Sequence, residues 1–181
     1  MPDAFGSDAE AAAVLGASLD HLAAVDWASL GTAAHGEMLA CLQRAQTKLT
    51  AVNAAVLSAF TAQSGYEPDG HRSARAWLIN RNGMSRGAAG AAVGWQKRLR
   101  RHGRIAAVMA AGDISESWAR EIAASTDKLP AEKRDEADEI LLDAAAQGLP
   151  LEDIAVLAQK IHEAWQAQHP GPDDGNGAGR G

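Results

Sequence analysis

From Thr32 to Ser64 the chain contains no proline and a single glycine, Gly36. Within it Leu39, Leu42, Leu49, Val52, Val56, Leu57 and Phe60 recur at helical spacing. Strands seldom exceed about ten residues, so a segment of this length and period is a helix, and the remaining chain has to organise itself around it. That remainder is also helical in character. Alanine, the best helix former, dominates the apolar residues, whereas tyrosine and phenylalanine number one and two. The reading is an all-α multi-helix bundle of about seven or eight helices, one of them long, with helix-turn-helix-like units embedded and no sheet.

Breakers and caps delimit the other helices. Ser7-Asp8-Ala9-Glu10 has the form of a capping box opening a helix to about Val25. Trp27 anchors the connection that follows, and Thr32 caps the long helix. Gly65 is its left-handed C-cap candidate, before the turn Glu67-Pro68-Asp69-Gly70. Helices are then predicted over 73–82, 85–101, 104–111, from Ser115 through Ile122, from Pro130 to Ala146 and from Pro150 to Gln168. The expected organisation is one helical domain over 7–168, containing a basic helix-turn-helix-like region at 71–124. A disordered N-terminus at 1–6 and a disordered Gly-rich tail or linker at 169–181 flank it.

The charge pattern narrows function. Between Asp69 and Asp113 there is no acidic residue, yet the segment carries Arg72, Arg75, Arg81, Arg86, Lys97, Arg98, Arg100, Arg101 and Arg104. The chain's net charge is −6, so removing these nine cations leaves −15 for the rest. One basic island inside an acidic protein predicts a partner of fixed negative charge, met by a single patch, and DNA fits best. On a helical wheel of 85–101, Arg86, Lys97, Arg100 and Arg101 lie opposite Trp95, which shares its side with Ala88, Ala91, Ala92 and Leu99. Gly87, Gly90 and Gly94 form a third stripe. Each glycine costs about 1 kcal/mol relative to alanine, which implies close approach by a neighbouring helix or by a phosphate backbone.

Two helix–break–helix units share one chemistry. In each, a helix ends at glycine, an apolar residue (Met84 or Ile114) plugs the turn, and a serine (Ser85 or Ser115) starts the next helix. A DNA-binding helix-turn-helix and an ordinary αα-hairpin both look like this. Charge favours DNA for the first unit only, since the second carries Glu116 and Glu121. Base contacts in the first unit would come from Asn80, Arg81, Asn82, Ser85 and Arg86. A second reading is a helical oligomerisation or protein-interaction domain. It would pair through the long helix and the glycine stripe, with an acidic partner on the basic island.

No catalytic residues, cofactor or metal site are expected. His21, His35, His71, His102, His162 and His169 lack metal-ligand spacing, and neither a P-loop nor a dinucleotide fingerprint occurs. Cys41 reads as a small core residue, and the acidic run Glu132 to Glu139 as a solvated helix face. No apolar run is long enough for a bilayer, and Met1 to Asp8 lack a basic n-region, so a cytoplasmic location is expected.

Several stretches together resemble a known family. They are Ser73 with Trp77-Leu78; Gly83-Met84-Ser85 with Ala88 and Ala89; Val93, Leu99, Ala110 through Ser115, and Ala119; Pro130 with Leu141 to Ala145; and Leu149 to Asp153. In order and spacing, over most of 12–168, they resemble the helical domain of unknown function (DUF222, the thirteen-E-twelve repeat family) that precedes the HNH endonuclease domain in many actinobacterial proteins. Ala110 to Ala119 is also similar to the helix-turn-helix of partition-type DNA-binding proteins. The resemblance implies work beside a nuclease, in the same chain or in trans, and hence DNA engagement. A role as part of a metal-dependent nuclease is the further alternative, although this chain carries no HNH constellation.

Overall fold

A computed structural model describes residues 6–168 of the chain. The expectations for 1–5 and 169–181 lie outside the described residues. The described residues form eight α-helices and one short 3-10 turn, with no strand among them. The chain divides into two compact units, the first ending at Cys41 and the second beginning at Leu42.

The first unit holds α1 (Asp8–Ala23), the 3-10 turn Trp27–Ser29 and the opening turns of α2 (Thr32–Ala62). The capping box forms with a shift. Ser7 Oγ accepts from Glu10 N at 3.2 Å, while Glu10 Oε2 accepts from Gly6 N at 2.8 Å. Trp27 is the anchor expected of it, since its indole N–H donates to Leu22 O at 3.1 Å and its own carbonyl lies 2.7 Å from His35 Nε2. α2 starts one residue earlier than a Thr32 cap would allow, because His35 N donates to Gly31 O.

The second unit holds the rest of α2 and then α3 (Ala74–Arg81), α4 (Arg86–Arg101), α5 (Gly103–Ala111), α6 (Glu116–Thr126), α7 (Ala131–Ala146) and α8 (Leu151–Gln168). α6, α7 and α8 pack on one another, α5 joins α4 to that layer, and α3 lies against α4. Their shared core contains Trp95, Leu99, Ile105, Met109, Ile122, Leu141 and Ile154. To it α2 contributes Ala51 and Ala54. The long helix is thus not the spine expected from its leucines. Leu39, Leu42, Leu49, Val52 and Val56 are exposed, and the buried face is made of the small residues Thr47, Ala51 and Ala54. Cys41 is exposed as well, which overturns its reading as a core residue.

Gly65 differs from expectation in an instructive way. The left-handed residue ending α2 is Ser64, at φ 51°, and Gly65 N closes the turn onto Phe60 O at 2.9 Å. Glycine is required at 65 for space. A Cβ there would stand 2.4 Å from the Phe60 ring, which is itself packed against Tyr66 and Trp77.

Candidate nucleic-acid interface

Both helix–break–helix units adopt the predicted breaks. Gly83 and Gly112 have φ of 65° and 79°. Met84 N and Asp113 N reach back to Leu78 O and Val108 O, closing each helix end. Ser85 Oγ then accepts from Ala88 N at 3.1 Å and Ser115 Oγ from Trp118 N at 3.3 Å, which starts α4 and α6. These two turns hold α3 against α4 and α5 against α6.

The wheel of α4 is rotated from the sequence reading. Its buried residues are Ala89, Trp95, Gln96 and Leu99, while Ala88 and Ala91 are exposed. Gln96 was invisible as a core residue because its type argues for the surface. The opposite side carries Arg86, Lys97, Arg100 and Arg101, all exposed. Among the described residues no helix covers the glycine stripe on this exposed side. A Cβ at Gly87 or Gly94 would meet nothing within 4 Å, and one at Gly90 would meet only the Arg75 side chain, at 3.6 Å. Arg75 reaches across from α3, its Nη2 donating to Arg86 O at 3.0 Å.

Four of the nine island cations are tied to carboxylates. Arg81 forms a two-point pair with Asp69, at 2.8 and 3.3 Å, and Trp77 Nε1 donates to the same carboxylate at 2.7 Å. The Arg81 and Trp77 hydrogen bonds hold Asp69 below the usual carboxylate range, and Asp69 in turn raises Arg81. Arg98 and Arg101 converge on Asp127 at 2.7 and 2.6 Å, and Arg104 pairs with Glu139 at 3.0 Å. Arg72, Arg75, Arg86, Lys97 and Arg100 have no carboxylate partner among the described residues. Among the candidate base readers, Arg81 and Ser85 are thereby occupied, and Asn80 Nδ2 is bonded to Ala76 O. Asn82 stands exposed at the C-cap of α3.

Asp127 belongs to a polar knot that the sequence reading missed. His102 is fully buried, with Nδ1 2.7 Å from Asp138 Oδ2 and Nε2 3.1 Å from Asp127 Oδ1. Thr126 Oγ1 donates to the other Asp138 oxygen at 2.6 Å. Burial pushes the Asp127 carboxyl up. The His102 hydrogen bond and the charges of Arg98 and Arg101 outweigh it and leave Asp127 below its usual value. Asp138 thus corrects the reading of Glu132 to Glu139 as wholly solvated, since it is fully buried. A usable signal existed. Asp138 is one turn before Leu141 and Leu142, on the apolar side of α7. With both ring nitrogens of His102 engaged, this cluster offers no free imidazole to a metal, and among the described residues no group of His, Cys, Asp and Glu could hold one.

Residues 36–176 match the model of the domain of unknown function DUF222. The chain belongs to the DUF222 family. The match covers the whole second unit as described, from within α2 to α8, and leaves α1 outside it. No curated protein and no solved structure matches the chain. Among the described residues, no helix is long and apolar enough to cross a membrane.

Proposed function

We propose that this DUF222 domain is a non-enzymatic module that holds the sugar–phosphate backbone of duplex DNA against the exposed side of α4. One observation carries the reading. Arg72, Arg75, Arg86, Lys97 and Arg100 have no carboxylate partner among the described residues of an acidic chain, and the α4 lane between Arg86 and Lys97 bears Gly87 and Gly94 with open space above them. Uncompensated cations are what phosphates displace their counterions for. A helix face without side chains lets a backbone come close. Arg81, Arg98, Arg101 and Arg104 serve the fold in this reading, holding helices together through Asp69, Asp127 and Glu139. The module acts in the cytoplasm and positions DNA for a nuclease such as an HNH domain, in the same protein or a partner, and contributes no catalytic group itself.

The test is fluorescence anisotropy of a labelled duplex at several salt concentrations. Five phosphate contacts give a log–log salt slope of about −4.5, or a loss of nearly three orders of magnitude (about 500-fold) in affinity between about 50 and 200 mM salt. The double variant Arg86→Glu, Lys97→Glu touches two exposed, unpaired side chains. It keeps the parent's melting temperature, binds at least about tenfold more weakly at low salt, and flattens the slope by about 2. Binding that ignores salt, or a double variant that binds as well as the parent, overturns the assignment.

A further inference from the structure

The two faces of α2 are occupied the opposite way from a core helix. Thr47, Ala51 and Ala54 are buried, whereas Leu42, Leu49, Val52 and Val56 are 37%, 40%, 54% and 62% exposed. Ala45 and Ala59 are exposed beside them. Leu42, Leu49 and Val56 are spaced by seven residues, and so are Ala45, Val52 and Ala59, three positions further on. This is the a/d pattern of a coiled-coil seam. The flanks agree with it. From Leu42 to Ala62 the only charged residues are Arg44 and Lys48, so the helix lacks the alternating charges of a solvated surface.

We infer that this seam pairs with the same seam of a second copy of the chain, the two helices running antiparallel about a twofold axis between Leu49 and Val52. In that register Leu49 meets Val52 of the partner subunit, Leu42 meets Ala59 of the partner subunit, and Val56 meets Ala45 of the partner subunit. Every layer then sets a larger side chain on a smaller one, which fills the seam evenly and is self-complementary, as a twofold requires. A parallel pair would stack alanine on alanine at two layers and leave voids there. The antiparallel arrangement also sets the Arg44 charges of the two copies roughly 20 Å apart along the seam, where screening removes their repulsion. From Leu42 to Ala59 the seam is about 26 Å long, and a helix with its side chains is about 10 Å wide. Its footprint of roughly 260 Å² per copy falls short of the roughly 800 Å² per partner of a standard stable interface. Next to Val56 the apolar surface continues into a groove of about 610 Å³ walled by Leu57, Phe60, Trp77 and Met84. The pair therefore forms and separates reversibly at micromolar concentrations.

Sedimentation equilibrium on the full chain, without DNA, tests the pairing. The mass is expected to rise from monomer towards dimer between about 1 and 200 µM. Leu49→Glu with Val52→Glu, both at exposed positions, keeps the helical circular dichroism and abolishes the rise. Register is read separately. In a Cys41→Ser background, chains carrying Gln46→Cys are mixed with chains carrying Asn53→Cys and oxidised. The antiparallel register brings residue 46 of one copy beside residue 53 of the other, so a disulfide-linked dimer appears in the mixture and not in the Gln46→Cys chain alone. A chain that stays monomeric at every concentration overturns the inference, as does a double Glu variant that dimerises like the parent. A mixture that fails to cross-link overturns the antiparallel register.

Discussion

Single residues carry the least legible part of this protein. His102 and Asp138 are 36 residues apart in sequence, and their contact depends on how the α4–α5 junction and α5 meet α7, which no local pattern encodes. Removing the imidazole leaves the buried Asp138 carboxyl without its ring partner in the interior. His102→Ala is expected to cost about 3–5 kcal/mol in urea unfolding. Glycines make a second case, because one residue type here serves opposite ends. Gly65→Ala drives a Cβ into the Phe60 ring and is expected to cost about 1–3 kcal/mol. Gly94→Ala enters open space and should gain about 0.5–1 kcal/mol. In the proposed interface Gly94→Ala also weakens DNA binding, so a variant that melts higher yet binds less well would separate the glycine lane's role from folding. Thermal melts and anisotropy on the same preparation read both effects.

Elements were far easier to read. Most of the helices begin or end at a serine, proline or glycine whose backbone role follows from its chemistry, such as Ser85, Ser115, Gly112 and Gly148. What the sequence could not tell was which face each helix buries. α4 turned so that Gln96 went inward, and α2 turned its aliphatic side outward, because the neighbours' shapes decide that and periodicity alone does not. The island's cations show the same limit. Asp69 borders the island in sequence, so the Arg81 pair was within reach of inspection, but Asp127 and Glu139 come from other helices. The Asp127 node ties the ends of α4 and α6 and gives a pH signature. Its folded pKa lies below the unfolded carboxylate value of about 3.9. The folded state therefore binds fewer protons, and the node's contribution is complete above that value and is lost as pH falls through the folded pKa. Asp127→Asn is expected to lower the melting temperature at pH 7 and to lose less of it than the parent between pH 5 and pH 2. Parallel acid-induced declines in the two proteins would remove this role from Asp127.

At the scale of the whole molecule, the family and the helical class were readable from the order of short apolar and glycine-serine segments. The proposed function rests on a charge asymmetry of the sequence. Folding pairs four of the nine island cations internally and leaves five without a carboxylate partner among the described residues. The experiment that follows is to vary these five and the four internally paired ones as separate sets. Neutralising Arg72, Arg75, Arg86, Lys97 and Arg100 should reduce DNA affinity at constant stability, whereas neutralising Arg81, Arg98, Arg101 and Arg104 should lower the melting point first. Equal losses of stability from the two sets would contradict the division.

The small-residue contact face of α2 has a kinetic corollary. Between Thr47 and Ala54 its buried contacts are only methyl and hydroxyl groups, so this stretch is released more readily than α6 or α7, whose buried residues include Ile122, Leu141 and Leu142. Its amide protons should exchange with deuterium well before those of α6 and α7, giving the long rod a local opening equilibrium of its own.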